Sequence, residues 1–309
     1  MMSSVKNSPR SWLAFDLNVL GRLKFASVTL PFCGTPALAD YLKRLNIRVA
    51  ANDPLRSAST WLEATVGNSG EHLTSKDLDV VLDDVYVPGY RHDNASLTDW
   101  FSETDAWWFD NVKRNITGLG SPAKQAMASS IVFAVGDYAM SFKGDVRELR
   151  QPLSKVFRRV AASQPQAFDN GQANRCGNTH AVEFIAENPG ELLFLRLPRA
   201  HAGTQRAYAG DRAWREEWVR GSNDWSKVEE GFTGKLGGST DTKSQYLDHV
   251  SETLSRATHI RTWGIAHVET GFISTQDIVD VVSDLRRVET IYTKDFSELT
   301  GTKAVIITA

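Results

Sequence analysis

Residues 27–54 read SVTLPFCGTPALADYLKRLNIRVAANDP. Val28–Phe32 is an apolar run of strand length, and Cys33-Gly34-Thr35 is small enough for a tight turn. Pro36 suits the first position of a helix, where its missing N–H costs nothing, and the spacing carries that helix to about Leu45. Ile47–Ala51 is a second apolar strand that stops at Asn52-Asp53. Strand, turn, helix, strand and acid, in that order, form the first unit of a nucleotide-type α/β fold. In such a unit the turn brings backbone N–H groups near an adenosyl ligand, and an acid roughly 20 residues on accepts ribose hydroxyls. The stretch therefore predicts where a ligand would sit, without showing that one is bound.

The rest of the chain sets bounds on this reading. Its 309 residues are 41% hydrophobic and 23% charged, ordinary values for one large core or a core with an inserted subdomain. No apolar run approaches the roughly 20 residues that span a bilayer, and no signal peptide is evident, so no membrane partner is expected. Cys33 and Cys176 make no disulfide framework, which points to a reducing cytoplasm. The net charge of −2 means that a nucleic-acid partner would need a local basic face.

Along the chain, Trp12–Leu20 has helical spacing. Residues 55–119 read as helices with long connections, and Trp107-Trp108-Phe109 is read as core packing rather than a base-stacking surface. Ala128–Ala139 predicts a buried helix. Lys143, Arg147, Arg150, Lys155, Arg158 and Arg159 then form a basic stretch, either a solvated face or a set of phosphate contacts. Residues 163–178 read as a loop, Thr179 as the cap of a helix, and Leu192–Leu195 as a parallel-type strand. Residues 200–244 carry Arg206, Arg212 and Arg215 among tryptophans and read as a polar loop or lid, mobile at Gly231–Gly238. Tyr246–Ala257 is a helix and Ile260–Ile265 a strand; Ser274 and Asp277 form a capping box, with Ile273 and Ile278 as its staple. Val288–Thr293 and Ala304–Thr308 predict a terminal β-hairpin. No phosphate-binding P-loop is present, and the seven histidines lack metal-ligand spacing, so no metal is expected. His267 reads as a satisfied histidine at a strand end.

These landmarks resemble the Dam-like class of DNA adenine methyltransferases. The family's glycine-rich turn stands here as Pro31-Phe32-Cys33-Gly34-Thr35-Pro36, and its strand-end Asn-Asp as Asn52-Asp53. Its helix ahead of the catalytic strand is similar to Asn178–Ile185, and its late strand and capped helix to Trp263-Gly264-Ile265 and Gly271-Phe272-Ile273-Ser274. The resemblance covers roughly residues 25–309. It implies a class I, Rossmann-like methyltransferase sheet with a terminal hairpin and an inserted helical, mostly polar subdomain. The α/β core would comprise 1–54, 120–200 and 245–309; 55–119 would be a helical insertion and target-recognition region, and 200–244 a lid. It also implies S-adenosylmethionine as cofactor, with Pro31, Phe32, Gly34 and Asp53 at a vestigial or weak site.

The family's Asp-Pro-Pro-Tyr motif falls on Arg196-Leu197-Pro198-Arg199. The exocyclic amine of adenine is a poor nucleophile, because its lone pair is delocalised into the ring. The family's aspartate and a backbone carbonyl accept hydrogen bonds from that amine and orient it for attack on the sulfonium methyl, while the aromatic residue stacks on the flipped base. Arg196 accepts no hydrogen bond, and its cation opposes the positive charge that develops on the amine. Arg199 removes the stacking ring. Only Gly34 remains of the turn's glycines, and Pro36 has no N–H donor. The expectation is a pseudo-methyltransferase with no catalytic residues and no cofactor. It would act as a DNA- or RNA-binding subunit, or as the partner of a catalytic protein. In the nucleic-acid reading Lys143, Arg147, Arg150, Lys155, Arg158, Arg159, Arg206, Arg212 and Arg215 supply contacts. Two alternatives stay open: an active S-adenosylmethionine-dependent enzyme with an atypical motif, and a protein-interaction module.

Overall fold

The computed structural model describes residues 10–142, 150–269 and 271–309. The chain divides into two compact units. One comprises Met1–Ser59, Asn170–Asp211 and Trp225–Ala309, and the other Thr60–Asp169 and Arg212–Asp224. In chain order the helices are α1 (Arg10–Leu20), α2 (Ala37–Arg44), α3 (Arg56–Leu62), α4 (Ser75–Val81), α5 (Glu103–Ile116), α6 (Pro122–Ser141) and α7 (Leu153–Ala162). They continue with α8 (Ala181–Glu187), α9 (Gln205–Ala209), α10 (Ala213–Arg220), α11 (Ser226–Phe232), α12 (Lys243–Ser255), α13 (Thr275–Leu285) and α14 (Ser297–Thr300). None is long and apolar enough to cross a membrane, among the described residues.

The first unit is α/β. Its seven strands are β1 (Ser27–Leu30), β2 (Arg48–Asn52), β3 (Arg175–Gly177), β4 (Leu192–Arg196), β5 (Thr262–Glu269), β6 (Thr290–Phe296) and β7 (Thr302–Thr308). They lie in the order β3-β2-β1-β4-β5-β7-β6. The first five are parallel, and β7 runs antiparallel between β5 and β6. The architecture is therefore a mixed, mostly parallel Rossmann-like sheet. The strand order reverses beside β1, where β2 and β4 flank it on opposite sides. In open α/β sheets the crevice outside the carboxyl ends of the strands at such a reversal is the usual ligand position.

Local chemistry accounts for the elements. β4 is buried along Leu192–Leu195, as a central parallel strand requires. Ser274 and Asp277 form the expected capping box on α13, and Ile273 and Ile278 enter one buried cluster with Trp263 and Ile307. The terminal hairpin is present as β6 and β7. The residue that caps α8 is His180, not Thr179: the backbone N–H of Thr179 is already engaged by the Asn52 side chain. Residues 163–178 are not all loop, since Arg175–Gly177 pairs with β2 as the edge strand β3. Three residues give too short a pattern to separate from a turn.

The second unit is helical. Trp108, Phe109, Trp214 and Trp218 are buried in its core with Ile131, Phe133 and Phe157, so the aromatic run 107–109 is core packing. Residues 120–169 belong to this unit rather than to the α/β core, because α6 packs against α7 and buries Ala128–Phe133 among those rings. The segment 200–244 is not a polar loop either. It holds α9, α10 and α11, and α10 buries Trp214, Arg215, Glu216, Glu217 and Trp218 in the helical unit. A Cβ at Gly136 of α6 would lie 2.2 Å from the Trp214 ring, so a glycine there lets the indole dock. The glycine-rich end is held firmly: Leu236 is buried, and the Gly237 carbonyl accepts from Gln205 Nε2 at 2.8 Å.

Candidate functional site

The carboxyl ends of β1, β2 and β4 bring together most of the residues singled out at the turn and the altered motif. Gly34 has φ of 61°, a left-handed conformation that glycine adopts without strain. Its N–H donates to Asp53 Oδ2 at 2.7 Å, and the Leu55 N–H donates to Asp53 Oδ1 at 3.0 Å. The Asp53 carboxylate is buried and faces backbone amides of its own chain. Beside it, fully buried Asn52 donates from Nδ2 to the carbonyls of Pro31 and Thr179, each at 2.9 Å, and accepts from the Thr179 N–H at 3.1 Å. Asn178 donates to the carbonyls of Asp53 and Pro54 at 2.9 and 3.0 Å. Asn52-Asp53 and Asn178-Thr179 thus tie the ends of β1, β2 and β3 into one network. Burial, and secondarily the Asp53 charge, push the Cys33 thiol well above its ordinary range, which disfavours the thiolate. Phe32 lies edge-on to His180, which burial holds below the ordinary histidine pKa.

Arg196 ends β4 and forms an ion pair with the buried Asp16 of α1. Its guanidinium lies 5.9 Å from the centre of the Trp12 ring and 5.8 Å from that of Phe194. Burial raises Asp16 to a pKa of about 6, more than Arg196 pulls it down. Leu197 is buried and donates its N–H to the Ala266 carbonyl; the Pro198 carbonyl accepts from the Tyr246 hydroxyl at 2.8 Å. Arg199 is exposed, and its N–H donates to the Tyr208 hydroxyl. His267 on β5 is buried; a hydrogen bond with the Ile273 backbone engages its ring, while Nε2 has no partner among the described residues, so the satisfied histidine expected there is satisfied only in part.

Asp16 was not singled out from the sequence. The signal was there: Trp12, Asp16, Val19 and Leu20 share one buried helical face, so an acid sits where the pattern calls for an apolar residue. Nothing comparable marks its partner, which lies 180 positions away.

The basic residues expected to meet phosphate are not gathered into one face. Lys143 and Arg147 lie outside the described residues. Arg150 pairs with Asp105 at 2.6 Å, Arg158 with Asp79 at 2.8 Å, and Arg215 with Asp137. Arg159 lies over the Tyr138 ring. Lys155 is exposed, Arg206 is exposed in the α/β unit, and Arg212 is half-buried in the helical unit. Most of this charge is matched internally. No histidine, cysteine or carboxylate cluster suited to a metal occurs among the described residues.

The helical unit holds an open hollow of about 380 Å³ lined by Asp93–Ser96, Asp99 and Gly221–Asn223. Two of its polar side chains are engaged within the unit: Arg114 holds Asp93 at 2.7 Å, and Asn94 Oδ1 accepts from the Ser96 hydroxyl at 2.6 Å.

No protein-family model matches the chain. A search of the curated proteins finds no match either.

Proposed function

We propose that this chain is a methyltransferase-like protein that does not transfer methyl groups and serves as a binding or partner subunit. The observation that carries the reading is the Arg196–Asp16 ion pair at the end of β4. A guanidinium stands where the resemblance calls for an acceptor, and a buried carboxylate on the chain's own first helix balances its charge. The strand order, with β7 antiparallel between β5 and β6, supports the fold side of the reading.

On this reading S-adenosylmethionine does not fit. Each oxygen of Asp53 already accepts from a backbone amide and the residue is buried, so a ribose diol would meet an enclosed and partly satisfied carboxylate. The matched state of Arg150, Arg158 and Arg215 favours a protein partner over nucleic acid. Exposed Arg199 and Lys155 keep a second, nucleic-acid-binding reading in play.

Calorimetry with S-adenosylmethionine, paired with labelled methyl transfer to DNA and RNA, tests the reading. No heat at high ligand concentration and no transfer are expected. Micromolar binding or transfer that Asp53→Ala abolishes would overturn it. Salt-sensitive DNA binding that Arg199→Ala or Lys155→Ala weakens would establish the second reading.

A further inference from the structure

The connection between α4 and the turn at Ala95–Asp99 is braced to an unusual degree for a surface loop. Asn111 and Asn115 stand one turn apart on α5 and face it together. Asn111 Nδ2 donates to the carbonyls of Val85 and Val87 at 3.1 and 2.9 Å, and Asn115 Nδ2 to those of Val81 and Asp83 at 3.2 and 2.8 Å. Buried Asp110 accepts from the backbone N–H groups of Asp93 and Asn94. His92 lies between Asp110 and Glu103, at 3.0 and 2.8 Å, and stacks on Trp107 with ring centres 3.9 Å apart. Asp84 takes a positive φ of 46°, a left-handed turn conformation that aspartate tolerates better than most side chains.

What this bracing presents is apolar. Tyr86 is 41% exposed, Val87 56%, and Tyr90 fully exposed, with Pro88 between them also at the surface. Fixing a loop costs conformational entropy; Tyr86 returns part of it by accepting from the Ser154 N–H at 3.3 Å, whereas the fully exposed Tyr90 ring returns little in the isolated chain. The arrangement suits a pre-organised anchor, in which the ordering cost of binding is met beforehand.

Charge selects the kind of partner. The helical unit carries more carboxylates than cations. Asp83 and Asp84 are exposed on the loop itself against the one arginine of the tip, Arg91, and its neighbours Arg158 and Arg114 are already paired with Asp79 and Asp93. A polyphosphate backbone would run against this field; an apolar segment flanked by lysine or arginine would be drawn to it. We infer that the Tyr86–Tyr90 tip is a docking surface for a partner protein that offers an apolar or aromatic segment flanked by lysine or arginine. The inference is independent of the reading of the β4 end.

The test displays a library of random peptides of about twelve residues to the full chain and to a Val87→Ser/Tyr90→Ser double variant, with a random single-stranded DNA library as a second arm. Both substituted residues are exposed, and unchanged melting verifies the variant's fold. The expected result is enrichment of peptides that combine apolar or aromatic residues with lysine or arginine, bound at least about tenfold more weakly by the double variant. The inference is overturned if no peptide is enriched, if enriched peptides bind both proteins equally, if acidic peptides win, or if DNA selected through Tyr90 binds more tightly than any peptide.

Discussion

Asparagine side chains organise both the turn after β1 and the loop after α4, but the two finish in opposite states. At the sheet edge, Asn52 and Asn178 draw the strand ends together, and the groups expected to meet a ligand turn inward: Asp53 to Gly34 and Leu55, Arg196 to Asp16. In the helical unit, Asn111 and Asn115 donate only to carbonyls of the loop, and the side chains of Val87 and Tyr90 are left facing water. Hydrogen bonds that consume side-chain function close a site, whereas hydrogen bonds confined to the backbone leave the side chains free to meet a partner.

Substitutions can break this comparison. The largest effect is expected from Asn52→Ala, which removes a fully buried side chain and its hydrogen bonds to Pro31 after β1 and Thr179 after β3, and should lower stability by about 3 kcal/mol in urea unfolding. A loss no greater than that of a surface substitution would mean that the network does not hold the strand ends. Asn111→Ala removes two hydrogen bonds from a loop open to water on its other side. It should cost about 2 kcal/mol, and it should weaken peptide docking even though Tyr90 is untouched.

Titration sharpens the contrast. Asp16 has a folded pKa raised to about 6, above its unfolded value, so ionising it works against the fold. Its contribution makes the protein more stable as pH falls from about 6 towards 4. His267 acts in the opposite sense: burial lowers its pKa, so the fold loses stability as pH drops below the unfolded histidine value. Melting curves across this range should therefore steepen their acid loss in Asp16→Asn and flatten it in His267→Gln. If neither variant changes the profile, both groups titrate alike in the folded and unfolded chains. The smallest effect is expected at Tyr90→Ser, which should leave the melting midpoint unchanged, since the ring has no folded environment to lose.

The sequence made the order of the α/β elements legible. Val28–Phe32, Ile47–Ala51 and Leu192–Leu195 are runs whose length and apolarity admit few other structures, and Ser274 with Asp277 announces a helix start through bonds made within four residues. That residue 196 offers no hydrogen-bond acceptor was legible for the same reason: residue type alone decides that a guanidinium accepts no hydrogen bond. Other features were settled only by tertiary structure. Residues 120–169 join the helical unit because Ala128–Phe133 finds Trp214 and Trp218, far along the chain. The arginines of 150–215 are mostly matched because Asp79, Asp105 and Asp137 come to them. The partner of Arg196 is an acid on the first helix. Local pattern determines what a segment becomes, because its energetics close within a few residues. Pairing between distant groups is decided by which surfaces the folded chain brings together.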